Sequence, residues 1–519
     1  MNKLAEKSRS TDIAIDTDSF RLRRFVELLE QERELEVISE DIELAAVASR
    51  LEGNSKAVLF RQPGGDIELV GNVLGSRRRV ALALGVSEES LLQEVLRRLS
   101  CPIAPVEVQS SVAPVHQVVL TGDKADFTKL PIHLQHGEDG GPYISASIDI
   151  TRSIDGARRN VGYRRMMLRG PREAGIDLIA PSDFRALYAE FHKRKERMPV
   201  AFVVGSHPAD SIAATVTNPI EDEVALMGGL RGSPVPLVKC ATIDAMVPAD
   251  AEVILEGYLD EDGWSEPEGP YGEYIGYYGR MKTNPVFHLT AITMRRDALF
   301  QTITIGGRTL AYTDTAQLAA LRTETAVWES LRAAIREPVA VYATPSCGGM
   351  HNVRCSVRPR YPGEARNALH AVMASHADVK NVFVVDDDID IFSDAQVDWA
   401  LATRFQPDRD LVIAKGFRVM PLDPSLQGSP TGEKAGFDLT LPLGWRNLKE
   451  LSVPVPPVFG SSKNMTVLEA LKSGPQTFRD LMEATGSRDG REIVRELDQI
   501  RRDRGLIRSS DGLHCLKSE

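Results

Sequence analysis

The chain is short of the features that mark a specialised environment. Its five cysteines, Cys101, Cys240, Cys347, Cys355 and Cys515, are scattered without CxxC spacing, which excludes a disulfide framework and a cysteine zinc site and fits a reducing cytoplasm. No stretch approaches the roughly 18 consecutive apolar residues of a membrane span. The leading MNKLAEKSRSTDIAIDTDSF has no apolar signal core, so a cytoplasmic protein without a membrane partner is expected. An excess of basic residues is missing as well: 62 Lys and Arg stand against 73 Asp and Glu, a net charge of -11. That balance speaks against a general nucleic-acid surface, and an anionic substrate must be met by cations placed locally. Internal repeats and low-complexity tracts are also absent.

What is present is ordinary globular material, 42% hydrophobic and 26% charged, and 519 residues at roughly 100 to 200 per domain suggest about three or four domains. The fold class is α/β multidomain. Residues 1–114 read as an α/β region, because FRLRRFVELLEQERELEVI sets Phe20, Phe25, Val26, Leu28 and Leu29 at helical spacing ahead of a strand, and DIELAAVASRLEG follows as a second helix. Residues 115–312 turn β-rich, with YISASIDITRS, VAFVVGS, AEVILEGYL and VFHLTAITMRR between Gly and Pro turns and one helix in DFRALYAEFHKRKER, a barrel or sandwich pattern. Residues 313–455 return to α/β. After the linker-like PVPPVFGSSKN, residues 465–519 read as three helices and a hairpin turning at Asp511-Gly512, a winged-helix-like order. Its ten basic and ten acidic residues do not advertise a DNA-binding face, so a packing or oligomer-contact appendage is the favoured reading.

The stretch that carries chemistry is EPEGPYGEYIGYYGR, residues 266–280. On a regular strand Glu268 and Glu273 would point to opposite faces. The intervening Gly269-Pro270-Tyr271-Gly272 predicts a bend that aims both carboxylates into one pocket, where one can hold a proton near neutral pH. On its own the segment also fits a Gly/Pro turn with solvated glutamates. The DDD run of Asp386 to Asp388 reads as solvated strand-end residues or caps, and His192 as a helix-surface histidine.

EGPYGEYIGYY is similar to the signature of UbiD-like decarboxylases. Further motifs follow the family's order from about Phe20 to about Leu422: GGPYISASIDITRSIDGARRNVGYRRM, LRGSPVPLVKC, VPADAEVILEGYLDE and KNVFVVDDDIDIFSDAQVDWALATR. Several motifs in order make a specific signal. The resemblance implies a split-barrel flavin-binding central domain, a C-terminal α/β oligomerisation domain, and a homodimer or homohexamer. It places the family's catalytic Glu-Arg-Glu network on Glu268, Arg165 and Glu273. Asn160 and Glu223 match ligands of a divalent metal, Mn2+ or Mg2+, beside the cofactor phosphate; K+ belongs to the same implied set. Ser145 falls near the flavin phosphate, Lys380 is a further phosphate candidate, and Tyr271, Tyr274 and Ile275 are candidates to line the pocket. One departure stands out. The family's metal-binding histidine would fall on Pro181; Asp183 is the nearest hard oxygen ligand, or the metal is held by fewer groups.

The implied reaction is loss of CO2 from an aromatic, heteroaromatic or α,β-unsaturated acid. It leaves a carbanion that no side chain stabilises, so prenylated FMN, supplied by a flavin prenyltransferase, is the implied electron sink. Glu273 would deliver the proton, with Glu268 holding Arg165. Two other readings stay open: a reversible enzyme working towards CO2 fixation, and a flavin-binding regulator that contacts DNA through residues 465–519.

Overall fold

Six antiparallel strands of the larger unit close into a barrel: β1 (Tyr143–Arg152), β2 (Arg159–Leu168), β3 (Glu173–Ile176), β4 (Met198–Val204), β5 (Val253–Leu259) and β6 (Val286–Met294). Hydrogen bonds run in the order β5-β4-β1-β2-β3-β6, and β6 pairs back onto β5. The computed structural model describes residues 15–216, 220, 222–445, 451 and 453–517. They form two units that divide between Leu443 and Gly444.

The barrel strands read as apolar runs because both of their faces are covered. On β4 and β5, Phe202, Val204, Val253 and Leu255 join one buried cluster with Phe287 and Ile292, while the alternate residues Ala201, Val203 and Ile254 join another. Period-two alternation disappears where neither face meets water. The helix Asp183–Arg194 starts at Ser182, whose hydroxyl accepts the Arg185 N–H at 3.2 Å, and contributes Phe184, Leu187 and Tyr188 to the first cluster.

The N-terminal helix Leu22–Gln31 buries Leu22, Phe25, Val26 and Leu29, one stripe at helical spacing. Strand Leu35–Ile42 runs parallel to Ala57–Pro63, which is followed in the sheet by Glu68–Gly71 and then by Leu299–Gln301. The last of these comes from beyond the barrel, so the N-terminal sheet is completed by residues that the sequence reading assigned to the central domain. The helix Asp314–Ala334 is capped by the Thr313 hydroxyl and leads into a five-stranded sheet ordered 338–343, 352–357, 381–386, 432–439, 411–417. In the second unit, helices Val467–Lys472, Phe478–Thr485 and Gly490–Arg504 precede the paired strands Leu506–Arg508 and His514–Leu516. They pack Leu471, Leu481, Ile493 and Leu497 in a core of their own.

Two local readings need correction. Asp386 is buried rather than solvated: it accepts the Leu441 N–H at 2.7 Å, and Arg404 bridges it to Asp388, whereas Asp387 and Asp388 are exposed at the strand end as expected. His192 does not lie free on the helix surface; its Nδ1 is 2.7 Å from the Glu261 carbonyl and its ring packs beside Tyr188 and Trp264.

Beside the barrel, Arg231 is fully buried between two aspartates, with Nε donating to Asp210 Oδ1 at 2.7 Å and Nη1 to Asp250 Oδ2 at 2.6 Å. Phe20 stacks on the same guanidinium at 5.2 Å. Removing one partner of such a set leaves uncompensated buried charge. Arg231→Ala is therefore expected to lower unfolding free energy by about 3–5 kcal/mol, read from denaturant midpoints.

Candidate active site

The bend expected between the two glutamates is present. Strand Glu266–Glu268 pairs with Lys282–Asn284, Gly269 turns the chain at φ +97, a value that favours glycine, and Tyr271–Gly272 pairs with Tyr278–Gly279. Glu268 and Glu273 are 1% and 2% exposed and converge on Arg165 of β2. Arg165 Nε donates to Glu268 Oε1 at 3.2 Å and Nη1 to Glu273 Oε2 at 2.9 Å. A third carboxylate, Asp177, meets Nη2 at 2.8 Å.

The sequence reading did not find Asp177, nor three further partners. Lys282 Nζ bridges Glu273 Oε1 and Asp177 Oδ2, each at 3.0 Å. Asn284 Nδ2 donates to Glu268 Oε2 at 3.2 Å, and the Tyr143 hydroxyl donates to Glu268 Oε1 at 2.9 Å. Lys282 and Asn284 lie two apart on the strand paired with Glu268 and so share a face, but that register is set by the fold, and the sequence carried no signal for any of the four. Burial alone would lower the pKa of Arg165, but Asp177, Glu273 and Glu268 outweigh it and raise it well above the ordinary value. For Asp177, burial works towards the neutral acid, and Arg165 and Lys282 overcome it, holding its pKa below the ordinary value.

A second segment, residues 135–140, grips the bend. Asp139 Oδ1 accepts the Gly272 N–H at 2.9 Å, Gly140 N–H donates to the Pro270 carbonyl at 2.8 Å, and the Tyr271 hydroxyl donates to Gln135 Oε1 at 2.6 Å. Asp139 Oδ2 also accepts from the backbone of His136 and lies 3.1 Å from its ring. Burial disfavours the His136 cation, yet Asp139 prevails and raises its pKa. Tyr271 is buried beneath Arg165, its ring 4.4 Å from the guanidinium carbon, while the Tyr274 hydroxyl reaches Met420 Sδ at 3.4 Å. A cavity of about 510 Å3 lies alongside, lined by Gln135, His136, Tyr278, Ile303 and Thr304 among others. It does not touch the two glutamates directly and adjoins them through Gln135 and Tyr271.

The proposed cofactor and metal residues fall in separate places. Ser145 Oγ is buried on β1 and accepts from Gln135 Nε2 at 2.8 Å and from the Ile303 N–H at 3.2 Å. Asn160 and Glu223 do meet: Glu223 Oε2 accepts from Asn160 Nδ2 at 3.1 Å and from the Val161 N–H at 2.6 Å. Asn160 Oδ1 is buried without a hydrogen-bond partner. Burial pushes the Glu223 carboxyl up to about 7; the charges of Asp183 and Asp149 add to the rise, against the Val161 N–H. Asp183 begins the helix after Pro181, and among the described residues no three His, Cys, Asp or Glu side chains gather to hold a metal. The chain thus presents an amide oxygen and one carboxylate, a hard-donor pair. That pair fits Mg2+ or Mn2+ if water and phosphate supply the remaining ligands. Lys380 is engaged elsewhere, donating to Asp423 Oδ2 and Ser425 Oγ at 2.7 Å each.

Profiles of the 3-octaprenyl-4-hydroxybenzoate carboxy-lyase match residues 26–99 as its N-terminal domain, 106–308 as its Rift-related domain and 316–439 as its C-terminal domain. The chain belongs to the UbiD family. The UbiD-class enzyme HmfF from Pelotomaculum thermopropionicum, solved with FMN, is 31% identical over 87% of this chain and 100% of its own, with a TM-score of 0.79. An evolved dimeric form of the same enzyme was solved with prFMN and is 32% identical over 84% and 97%, TM-score 0.75. Vanillic acid decarboxylase from Sedimentibacter hydroxybenzoicus is 30% identical over 84% and 95%, TM-score 0.76. The 3,4-dihydroxybenzoic acid decarboxylase of Klebsiella pneumoniae is 25% identical over 85% and 98%, TM-score 0.79. This UbiD-family chain is accordingly a carboxy-lyase of the decarboxylase type.

Two outcomes follow from the geometry. Because burial raises the Glu223 carboxyl to about 7 in the folded chain, against 4.5 for an ordinary glutamate, stability should fall as pH rises between those values. Glu223→Gln should flatten that slope in thermal melts. A Cβ at Gly140 would strike the Gly269 carbonyl, so Gly140→Ala should displace the bend and cut decarboxylation at least about tenfold while leaving the circular dichroism spectrum unchanged.

Proposed function

We propose that this chain removes CO2 non-oxidatively from an aromatic, heteroaromatic or α,β-unsaturated carboxylic acid with prenylated FMN as cofactor. The observation that carries the reading is Arg165 bound to Glu268 and Glu273 at 3.2 and 2.9 Å, the residue set on which the family's catalytic network falls. The FMN and prFMN complexes of HmfF support the cofactor, and the two relatives named for vanillic and 3,4-dihydroxybenzoic acid support an aromatic substrate. A flavin prenyltransferase is the proposed supplier of the cofactor, and a homo-oligomer the proposed assembly.

When bound, the prenylated flavin supplies the electron sink for the pair released as CO2 departs. The protein's part is to orient the acid and deliver a proton. Three of the five Arg165 N–H groups donate to the glutamates, Nε and one Nη2 N–H to Glu268 and one Nη1 N–H to Glu273, while Asp177 forms an ion pair with Nη2 at 2.8 Å. The guanidinium therefore acts mainly as a rigid holder of carboxylates, with its remaining N–H groups available to the substrate carboxylate. Three carboxylates around two cations balance when the set carries one proton, and Glu273 would pass that proton to the carbon that loses CO2. Asn160 Oδ1 and Glu223 would hold a divalent metal against the cofactor phosphate, with Asp183 contributing charge; Ser145 and Lys380, bound to other partners at separate places, are left out of this phosphate site.

The test is CO2 release from vanillic and 3,4-dihydroxybenzoic acid, then from a wider panel of unsaturated acids, by protein co-produced with a flavin prenyltransferase. Turnover is expected for at least one acid, and Glu273→Gln should lower it by at least about 100-fold with flavin still bound. Full activity in Glu273→Gln would sink the assignment of the donor.

A further inference from the structure

Glu273 has to be reprotonated after every turnover, yet its side chain is only 3% exposed. Its Oε1 has Lys282 Nζ at 3.0 Å, and on the other side the backbone of Gly279 comes so close that an added Cβ would sit 2.6 Å away. Its Oε2 is taken by Arg165 Nη1. A guanidinium does not release protons in the working range of a protein, and the three carboxylates around Arg165 hold its proton more tightly still. An ammonium does exchange its protons. Lys282 is 18% exposed and also touches Asp177 Oδ2 at 3.0 Å, itself 20% exposed. The line Glu273, Lys282, Asp177 thus runs from a closed site to water through groups that each hold or accept a proton.

We propose that Lys282 relays protons from solvent to Glu273, with Asp177 holding its ammonium in line. The inference rests on Glu273 being the proton donor of the proposed decarboxylation. In the step, the bond to CO2 breaks and the carbon forms a C–H bond with the Glu273 proton, leaving a carboxylate. One Lys282 N–H proton then moves to Glu273 Oε1, the amine is left neutral, and it recovers a proton from water. No oxidant or reductant is consumed. Lys282 touches neither substrate nor cofactor in this account; it acts through Glu273.

The experiment compares flavin-loaded Lys282→Ala, Lys282→Arg and Glu273→Gln with the parent protein on whichever acid the screen above turns over. Flavin absorbance and thermal midpoint verify that each variant is folded and loaded. Both lysine variants are expected to lose roughly 100-fold in kcat with KM little changed. Methylamine and ethylamine should restore the Lys282→Ala rate in proportion to their concentration, whereas guanidinium chloride at equal ionic strength should not. A Lys282→Arg protein at full rate, or rescue by guanidinium as good as by amines, would reduce Lys282 to a fixed positive charge and overturn the relay. Absence of amine rescue in folded, loaded Lys282→Ala overturns it too. Glu273→Gln keeps the two claims apart: if it is active the donor assignment itself fails, and if it is inactive while Lys282→Arg is fully active only the relay fails.

Discussion

Glu268, Glu273 and Asp177 share a single guanidinium where little water reaches any of them, and the structure around Arg165 is arranged to keep that possible. Removing a carboxylate from water costs several kcal/mol, and the loss is recovered only where cations and hydrogen bonds are aimed at it in advance. Arg165 supplies one cation and Lys282 the second, while the Tyr143 hydroxyl and Asn284 each add a further donor to one oxygen of Glu268. Tyr271 closes the underside of the guanidinium with an aromatic face. A site built this way has its charges placed before a substrate arrives, which is where electrostatic catalysis obtains most of its effect.

The barrel matters because these groups come from far-separated positions. Arg165 stands on β2, Asp177 just past β3, Tyr143 at the start of β1, and Lys282 and Asn284 on the strand leading into β6. Strands closed on themselves hold such groups to the tolerance that hydrogen bonds require. The carboxylate-bearing bend has no such support of its own. Asp139, Gly140 and Gln135 provide it, pinning three successive residues, Pro270, Tyr271 and Gly272, from outside the barrel. His136 adds a charge-supported contact to the same grip.

The Asn160 and Glu223 pair is a different kind of polar site. There the compensation is incomplete: an amide oxygen has no partner, and a carboxyl is pushed up to about 7 by burial and by the neighbouring acids Asp183 and Asp149. Asp149 is itself fully buried and raised to about 6 by burial, with Arg164 as its counter-charge. A buried acidic pocket with incomplete compensation is costly to keep charged, and it differs in that respect from the fully partnered set around Arg165. Arg164 also reaches the Ser182 hydroxyl at 3.2 Å, so the segment after Pro181 is tied to the barrel by a guanidinium at the place where the family pattern has a metal-binding histidine.

Local pattern alone determined a good part of this protein. The stripe of Leu22, Phe25, Val26 and Leu29, the runs YISASIDI and VAFVV, and the three helices before the final hairpin all formed the expected elements, because hydrophobic spacing and turn residues act over a few positions. The Gly269 bend was legible for the same reason. The convergence of Glu268, Arg165 and Glu273 became readable only through motif order, since no rule of spacing links residues about a hundred positions apart. Tertiary structure alone decided that Asp177, Lys282, Asn284 and Tyr143 complete the set, that Leu299–Gln301 finishes the N-terminal sheet, and that Asp386 is buried against Arg404. The physical reason is common to all three: a charge or strand edge takes its partner from whatever the closed barrel and its neighbouring sheets bring within about 3 Å, and chain distance carries no record of that.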